Sequence, residues 1–287
     1  MKAVIMAGGE GTRLRPLSCD LPKPMVPLLN RPLLEHILLL LRRHGVREVA
    51  LTLCYRPHLI EEYFGDGARW GMKLRYFREE VPLGTAGSVR QAAEFLGEET
   101  FLVLSGDALT DFDLTAALRF HQQAGGVATL VLTRVQQPLE YGIVITDESG
   151  RIVRFLEKPG WSEVFSDTVN TGIYVLEPQV LSAVPADRPY DFSKDLFPRL
   201  LASGAPLMGW VAEGYWSDIG NLEEYRRGHE DALEGRVHLE TPWVLRRVQG
   251  ETEVWQEEGA RVDPGAKLVG PVYLGRGTVV EAGAEVG

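Results

Sequence analysis

The stretch that decides the fold is AVIMAGGEGTRLRP, residues 3–16, in which a short apolar run leads directly into glycines. The run Ala3–Met6 predicts a buried strand, and Gly8–Pro16 predicts a loop at its carboxyl end, where α/β sheets bind ligands. The loop has no Gly-Lys pair of a P-loop, and Leu14 stands where a dinucleotide loop has its third glycine. Because glycines let backbone N–H groups approach phosphates and Arg13 adds fixed charge, we predict a phosphate-binding loop of another type. A purely structural glycine turn is the alternative.

Short apolar runs alternate with helical patterns through the first half of the chain, which is typical of βαβ units and a mainly parallel sheet. Two later runs, at 142–146 and 152–156, flank a turn and predict a hairpin. We therefore predict an α/β domain whose mixed, mainly parallel sheet is flanked by helices. The other predicted strands are Glu48–Leu53, Leu74–Phe77, Phe101–Leu104, Val127–Thr133 and Asn170–Leu176, and the predicted helices are Pro32–Arg43, Leu59–Phe64, Thr85–Leu96, Leu114–Gln123, Phe192–Ala202 and Leu222–Leu233.

A six-residue period replaces the helical pattern beyond Gly235. Aliphatic residues recur six apart from Val262 to Val286, and small residues keep a second register from Ala260 to Ala284. Such hexapeptides are typical of a parallel β-helix. We predict a catalytic domain at residues 1–235, followed at 236–287 by a linker and a short left-handed parallel β-helix. A stub of about one and a half turns buries its core poorly, so it either pairs with another subunit or was cut from a longer chain.

Composition and charge restrict the class of protein. The 287 residues are 45% hydrophobic and 24% charged, with a net charge of -10, which argues against a general nucleic-acid surface. Residues 1–31 nevertheless carry five basic and two acidic side chains, and this local excess suits a small polyanion, although a solvated basic face would look the same. No apolar run approaches the roughly 20 residues of a membrane span. The N-terminal residues 1–6 run directly into the glycines and leave no room for a signal peptide, so we expect a cytoplasmic protein.

A single lysine lies between prolines in the run LPKPMVP, residues 21–27. Proline fixes φ and disfavours helix, so we expect Lys23 on a stiff extended segment. A lysine held in this way is a candidate clamp for a reacting phosphate. A surface lysine in a proline-rich turn is the alternative interpretation.

Two aspartates are candidate metal ligands. Asp107 follows the predicted strand Phe101–Leu104, and Asp218 precedes a predicted helix in the run YWSDIG, residues 215–220. A carboxylate at the carboxyl end of a strand suits Mg²⁺, which prefers carboxylate oxygens and keeps several waters. A helix-capping role is the alternative for Asp107.

The loop Gly8–Pro16, followed by Pro22-Lys23-Pro24-Met25, resembles the signature of the nucleotidyltransferase family that makes nucleotide sugars. The proline-lysine-proline-methionine version is similar to the mannose-1-phosphate guanylyltransferase branch, whereas the thymidylyltransferase branch usually carries a lysine-glutamine-leucine version there. The resemblance covers nearly the whole chain, because later motifs recur in order and the hexapeptide tail also belongs to that branch. It implies a Rossmann-like fold of the nucleotide-diphospho-sugar transferase type.

The resemblance also implies roles for individual residues. The nucleotide would be bound by Ala7, Gly8, Gly9, Gly11, Thr12, Leu83, Gly84, Thr85 and Gly106. The sugar would be bound by Tyr141, Gly142, Glu157 and Asn170. The catalytic group would be Arg13, Lys23, Asp107, Lys158 and Asp218, with Asp107 and Asp218 sharing one Mg²⁺. Simpler roles stay open, since Thr85 is also a possible helix N-cap and Glu157 with Lys158 a possible solvated ion pair.

The expected reaction joins a nucleoside triphosphate, with GTP favoured, to a sugar-1-phosphate, with mannose-1-phosphate favoured, and releases pyrophosphate. The expected assembly is a homodimer without nucleic-acid or membrane partners. One alternative is a thymidylyl- or uridylyltransferase acting on glucose-1-phosphate, and another is a regulatory homologue that binds sugar nucleotides without turnover. A hexapeptide acyltransferase is excluded, because the repeat is short and contains no histidine.

Overall fold

The computed structural model describes residues 1–240, 244–249 and 252–287. The helices are α1 (Leu33–Arg43), α2 (Pro57–Phe64), α3 (Gly84–Gln91), α4 (Ala93–Leu96), α5 (Leu114–Ala124), α6 (Phe197–Ala202) and α7 (Leu222–Leu233), with a π-helical turn at Phe192–Leu196 and 3-10 turns that include Thr12–Leu14 and Lys23–Met25. The strands up to residue 218 are β1 (Lys2–Met6), β2 (Pro27–Leu28), β3 (Arg31–Pro32), β4 (Glu48–Leu53), β5 (Lys73–Arg78), β6 (Phe101–Ser105), β7 (Ala108–Thr110), β8 (Ala128–Arg134), β9 (Gly142–Thr146), β10 (Ile152–Glu157), β11 (Thr168–Leu176), β12 (Leu207–Val211) and β13 (Trp216–Asp218). The strands of the tail are β14 (Val244–Gln249), β15 (Thr252–Gln256), β16 (Arg261–Val262), β17 (Lys267–Leu268), β18 (Val272–Leu274), β19 (Val279–Val280) and β20 (Glu285–Val286).

One large sheet organises residues 2–211. Its order is β10-β9-β11-β6-β1-β4-β5, and β8 joins through β11 and carries β12. β4 and β6 flank β1 in parallel, and β5 continues parallel to β4, whereas β11 runs antiparallel to β6, β8 and β9. β9 and β10 form the predicted antiparallel hairpin. The mixed, mainly parallel α/β sheet predicted from the sequence is therefore confirmed.

The central strands β1, β4 and β6 are buried on both faces, which explains why they are nearly continuous apolar runs. On β1, Ala3 and Ile5 contribute to one hydrophobic cluster with α1 and α5, while Val4 contributes to the opposite cluster with α3 and α6. Successive side chains of a strand point to opposite faces, so β1 is packed on both sides. The loop that follows β1 consequently starts from a rigid, central strand.

One local prediction was wrong, and two predicted helices are present but not regular throughout. The segment around Lys23 is a 3-10 turn rather than extended, because proline is tolerated in the first turn of a helix and Pro24 occupies that position. The helix predicted from Thr85 begins at Gly84 and divides at Ala92, with α4 following α3. The helix predicted over Phe192–Ala202 opens with the π-helical turn.

The tail contains short strands that pair in parallel. Arg261 pairs with Val279 and Lys267 with Glu285, so each partner lies eighteen residues further along the chain, which is three hexapeptides. Both repeating registers point inward, since a hydrophobic cluster unites Ala260, Ala266, Leu268, Val272, Leu274 and Val280. The left-handed β-helix and the boundary at residue 235 stay predictions. Among the described residues, no helix is both long and apolar enough to cross a membrane.

Candidate active site

Lys23, Asp107 and Asp218 converge at the carboxyl ends of the central strands. Lys23 Nζ donates to Asp107 Oδ2 at 2.5 Å and to Asp218 Oδ1 at 3.2 Å. The two aspartates are neighbours because β7 and β13 pair antiparallel, which places Asp218 opposite Ala108. The three side chains that the sequence separates by up to 195 positions therefore form one cluster.

The electrostatics of this cluster favour a charged lysine between two unequal carboxylates. The Lys23 side chain is 10% exposed, and although burial disfavours its charge, the two aspartates raise its pKa above the usual value. Burial also opposes ionisation of Asp107, but Lys23 and the Ser105 hydroxyl, which donates to Asp107 Oδ1 at 2.5 Å, hold the pKa of Asp107 below its usual value. Burial and then the neighbouring charge of Asp107 raise the pKa of Asp218. With both carboxylates ionised, the cluster has one negative charge more than Lys23 balances.

The glycine loop packs directly on the lysine segment. Gly11 has a φ of 72°, and a Cβ there would lie 2.8 Å from Lys23 Cβ. The Lys23 N–H donates to the Gly9 carbonyl at 3.3 Å, and Ser18 Oγ donates to the Gly11 carbonyl at 2.6 Å. The loop and the lysine are thus placed relative to each other by backbone contacts, and glycine at position 11 permits the close approach.

The base of the loop is fixed by the sheet. The Ala7 N–H donates to the Thr52 carbonyl at 2.9 Å, and Gly106 N–H donates to the Met6 carbonyl at 2.9 Å. A Cβ on Gly106 would lie 2.8 Å from that Met6 oxygen, so glycine is needed for the contact. Gly8 is half-buried, whereas Gly9 and Thr12 are exposed at the open side of the loop.

The segment at residues 83–85 lies against the loop between β11 and the π-helical turn. Gly84 has a φ of 73°, and a Cβ there would lie 2.7 Å from the Tyr190 carbonyl oxygen. Leu83, rather than Thr85, is the cap residue of α3. Thr85 Oγ1 donates to Asp191 Oδ1 at 3.1 Å and accepts from the Phe192 N–H at 2.9 Å. The N-cap alternative for Thr85 was therefore wrong, because its hydroxyl bonds a distant loop instead of its own helix.

The predicted sugar-binding residues Tyr141, Gly142 and Glu157 lie together where β9 and β10 meet. Gly142 pairs with Glu157, and a Cβ on Gly142 would lie 2.7 Å from Glu157 Oε2. The Tyr141 ring packs edge-on against Trp216, with ring centroids 5.3 Å apart, and Trp216 adjoins Asp218 through Ser217. The carboxylate of Glu157 and this aromatic pair thus form a wall that continues to the lysine–aspartate cluster.

Asn170 is buried and largely committed to the protein. Its Nδ2 donates to the Tyr174 hydroxyl at 3.0 Å and to Ser193 Oγ at 3.2 Å, and its Oδ1 accepts from the Gly172 N–H at 3.2 Å. The amide cannot be reversed, because Nδ2 would then face the Gly172 N–H as a second donor. Asn170 therefore has both N–H groups occupied, and its predicted contact with the sugar stays a prediction.

Arg13 and Lys158 lie on either side of one acidic side chain. Glu140 Oε2 is 3.9 Å from Arg13 Nη1 and 4.0 Å from Lys158 Nζ, and all three side chains are more than half exposed. Lys158 has a φ of 46°, which is uncommon outside glycine, and its N–H donates to the Tyr141 carbonyl at 3.1 Å. The two predicted phosphate-binding cations are therefore near each other, with a carboxylate between them.

Sequence reasoning did not single out several polar or aromatic residues of this site. Glu79 accepts from the Leu83 N–H at 2.9 Å, and burial raises its pKa. Ser105, Glu140 and Trp216 stand within or beside predicted motifs, and this is the only sequence signal that they have. Glu79 and Ser193 have no such signal. The missed residues are Glu79, Ser105, Glu140, Ser193 and Trp216.

Comparison with known proteins identifies the family. The sequence model of the nucleotidyl transferase family matches residues 2–235. Mannose-1-phosphate guanylyltransferase of Mycobacterium tuberculosis is 40% identical over 286 residues, which cover 99% of this chain and 76% of that protein. UTP–glucose-1-phosphate uridylyltransferase of Synechocystis sp. is 36% identical over 315 residues, which cover 100% of this chain and 81% of that protein.

A solved structure agrees with the sequence comparisons. HddC from Yersinia pseudotuberculosis, complexed with GMP-PN, superposes with a TM-score of 0.69 at 26% identity, covering 80% of this chain and 99% of that one. The family resemblance expected from the loop and the lysine motif is confirmed: the chain belongs to the nucleotidyl transferase family, with mannose-1-phosphate guanylyltransferases among its relatives.

Proposed function

We propose that the chain is a sugar-1-phosphate nucleotidylyltransferase that transfers a nucleotidyl group from GTP to mannose-1-phosphate. The observation that carries this proposal is the Lys23–Asp107–Asp218 cluster directly beside the glycine loop. The 40% identical guanylyltransferase of Mycobacterium tuberculosis favours GTP and mannose-1-phosphate as the pair. The favoured GTP also agrees with the Pro22–Met25 version of the lysine motif.

In the proposed reaction a phosphate oxygen of mannose-1-phosphate attacks the α-phosphorus of GTP. The bond from that phosphorus to the oxygen shared with the β-phosphate breaks, and pyrophosphate leaves with the electron pair. The nucleophile is already an anion, so the protein needs no strong base and acts by holding two polyanions in line. Lys23 would hold the α-phosphate, Arg13 the leaving pyrophosphate and Lys158 the acceptor phosphate. Glu140, which lies between the last two cations, would have to make room for those phosphates.

Mg²⁺ fits the donor set at Asp107 and Asp218. The two carboxylates converge on one point, because Lys23 Nζ lies 2.5 Å from an oxygen of Asp107 and 3.2 Å from an oxygen of Asp218, so they would be the protein ligands of the ion. Such a site suits Mg²⁺, which commonly keeps waters and takes phosphate oxygens from the substrate. With both carboxylates ionised, the single charge of Lys23 leaves one negative charge unbalanced, which favours a cation there. When bound, Mg²⁺ would neutralise the phosphates that the reaction brings together.

Pyrophosphate release over a grid of triphosphates and sugar-1-phosphates tests the proposal. We expect GTP with mannose-1-phosphate to give the highest kcat/KM and EDTA to abolish release. Asp107→Asn and Asp218→Asn should each lower turnover by about 10²- to 10³-fold. An exposed aspartate offers the matched control Asp167→Asn, which should leave turnover unchanged.

A second pair is favoured by the uridylyltransferase of Synechocystis sp., which aligns with the whole of this chain. If UTP or dTTP with glucose-1-phosphate gave the highest kcat/KM, the guanylyl assignment would be wrong and the reaction class would stand. If no pair released pyrophosphate while a sugar nucleotide still bound in calorimetry, the chain would be a binding-only homologue.

We also propose that the tail at residues 260–287 winds as a left-handed parallel β-helix and joins two copies of the chain. The eighteen-residue offset between paired strands and the inward small and aliphatic registers support this. Light scattering should give the mass of a dimer. A monomer at micromolar concentration would contradict the proposed pairing.

A further inference from the structure

The turn Phe192–Leu196 has π-helical geometry and adjoins the predicted sugar wall. π-helical turns are rare and are frequently found at functional sites, because the extra residue displaces a side chain from its regular helical position. Within this turn Ser193 is half-buried, whereas its neighbour Lys194 is exposed. The turn is fixed at its start, since the Asp191 N–H donates to Asp195 Oδ2 at 2.8 Å.

The environment of Ser193 defines the direction of its hydroxyl. Asn170 Nδ2 donates to Ser193 Oγ at 3.2 Å, and this amide cannot reverse because Gly172 donates to its oxygen. Ser193 Oγ is therefore an acceptor toward Asn170, so its own proton is available to another group. The Glu157 carboxylate and the Tyr174 hydroxyl both lie near Ser193, and hydrogen bonding with Ser193 lowers the pKa of each of these two groups.

Glu157 is thus held between two supports. On one side Gly142 leaves space for Glu157 Oε2, which lies 2.7 Å from where a Cβ would be. On the other side lies Ser193, whose hydroxyl proton can be donated to the carboxylate. Asn170 is itself held by its hydrogen bond to the buried Tyr174 hydroxyl, with 3.0 Å between Nδ2 and the oxygen, and it donates in turn to Ser193 Oγ.

We propose that Ser193 is a positioning residue that orients the Glu157 carboxylate toward the hydroxyls of the acceptor sugar, and that it thereby contributes to selection of the sugar phosphate. This inference rests on the proposed function, because it takes the wall at Tyr141, Gly142 and Glu157 as the acceptor site. Asn170 then acts through Ser193, and Glu157 is the group that contacts the sugar.

The charges around Glu157 add a pH signature. Burial raises the pKa of Glu157, and the nearby Asp191 acts in the same direction. Lys158, the Ser193 hydrogen bond and Lys194 oppose this rise. The Tyr174 hydroxyl faces the same carboxylate and is neutral, since burial raises its pKa to about 12. Removing the Ser193 hydroxyl should therefore raise the pKa of Glu157 further, and the carboxylate should be lost at a higher pH.

The test uses Ser193→Ala in the full chain, with pyrophosphate release measured at saturating GTP and varied mannose-1-phosphate. We expect KM for mannose-1-phosphate to rise about tenfold, as for one charge-assisted hydrogen bond, while KM for GTP and kcat change less than about twofold. KM for mannose-1-phosphate should also rise as the pH falls, and in Ser193→Ala this rise should begin at a higher pH than in the wild type. Ser182→Ala, whose hydroxyl donates only to the Gln179 carbonyl at 2.7 Å, is the matched control and should behave as wild type.

Two further variants make the result decisive. If Ser193 acts through Glu157, the double variant with Glu157→Gln should equal Glu157→Gln alone within about twofold. The proposal would be overturned if the effects of Ser193→Ala and Glu157→Gln on KM multiplied in the double variant. It would also be overturned if Ser193→Ala impaired both KM values and kcat to the same extent. Ser193→Cys fills the same space with a weaker donor and should shift KM in the same direction, which keeps the test valid if the alanine variant unfolds.

Failure of the inference and failure of the proposed function are distinguishable. If the wild type releases pyrophosphate and Ser193→Ala keeps the wild-type KM and pH profile, only the role of Ser193 is refuted. If the wild type releases none from any pair, the proposed function fails first. In that case calorimetric binding of mannose-1-phosphate to wild type and Ser193→Ala tests the serine without turnover, and equal affinities refute its role.

Discussion

Lys23→Met should destabilise the protein at neutral pH, because it leaves Asp107 and Asp218 facing each other without their shared cation. Methionine keeps the length and apolar stem of lysine, so the change removes little besides the ammonium group. Lys23 Nζ lies 2.5 Å from one carboxylate and 3.2 Å from the other, and its side chain is only 10% exposed. The perturbation therefore acts on charge, at a position that the solvent screens weakly.

The magnitude follows from these distances. At an effective dielectric constant of about 20, Coulomb's law gives about 7 and about 5 kcal/mol of attraction for the two contacts. Most of this offsets desolvation and the repulsion between the aspartates, and breaking a buried pair typically costs about 3–5 kcal/mol. Because the Asp107 and Asp218 side chains are 25% and 31% exposed, we expect about 3 kcal/mol, at the low end of that range.

The effect should depend on pH with a defined sign. In Lys23→Met the two carboxylates repel, so the pKa of one of them is raised in the folded state above its unfolded value. Such a group adds stability at low pH that is lost as the pH rises through the folded pKa. In the wild type, the lowered pKa of Asp107 works in the opposite direction and adds stability that is lost in acid. The difference in unfolding free energy should therefore shrink between pH 7 and about pH 4.

Urea unfolding followed by tryptophan fluorescence measures this difference, with an unchanged slope m as the condition for comparing midpoints. The control is Lys267→Met, which removes an ion pair to Glu285 of 2.8 Å whose side chains are 67% and 62% exposed. Exposed pairs contribute about 0–1 kcal/mol, so this variant should change little. A Lys23→Met loss below 1 kcal/mol, or one that stays constant from pH 7 to 4, would refute the shared-cation interpretation.

Two further substitutions, each with a matched control, test local packing, one beside the candidate site and one in the tail. Gly84→Ala should lower the unfolding free energy by about 3 kcal/mol and raise KM for the triphosphate, because the new Cβ would meet the Tyr190 oxygen at 2.7 Å. Gly125→Ala shares a positive φ of 66° but meets no atom within 4 Å, so it should cost only about 1–2 kcal/mol, and equal losses in thermal melts would contradict the steric argument. Trp255→Phe should lower the unfolding free energy by about 1 kcal/mol, since the indole N–H of Trp255 donates to a carbonyl of α7 at 2.9 Å. The control Trp161→Phe, at an 83% exposed position, should leave the unfolding free energy unchanged. If Trp255→Phe had no effect either, the tail would not be anchored at this contact.

The parts of the site that lie at strand ends could be predicted from the sequence. The Gly8–Pro16 loop and Asp107 follow buried apolar strands, and the carboxyl ends of parallel strands meet at one edge of a sheet. In the structure β1 and β6 do pair in parallel, so the loop and Asp107 lie at the same edge of the sheet. The position of Asp218 could not be predicted in this way, because β13 is three residues long and too short to show a hydrophobic period. The resemblance to a known family, rather than the local pattern, paired it with Asp107.

Two polar side chains, Thr85 and Asn170, show where local sequence patterns stop being informative. Local patterns report backbone preferences, whereas the function of a polar side chain depends on distant partners. Thr85 looks like an N-cap in sequence, yet Asp191, 106 positions away, takes its hydroxyl. Asn170 looks like a free amide, yet Tyr174 and Ser193 occupy both of its N–H groups. Such contacts form only through the tertiary fold, so no window of sequence reveals them.

The distance along the chain between Lys23 and Asp218 has a consequence for synthesis. The two residues are 195 positions apart along the chain. Strand β13, which carries Asp218, is therefore synthesised long after Lys23 and after every other strand of residues 2–218. The nascent domain therefore carries its glycine loop and lysine through most of translation without the second carboxylate. During that interval only one of the two carboxylates that Lys23 contacts in the folded chain has been synthesised. Under the proposed function, activity should therefore appear only after β13 has paired with β7.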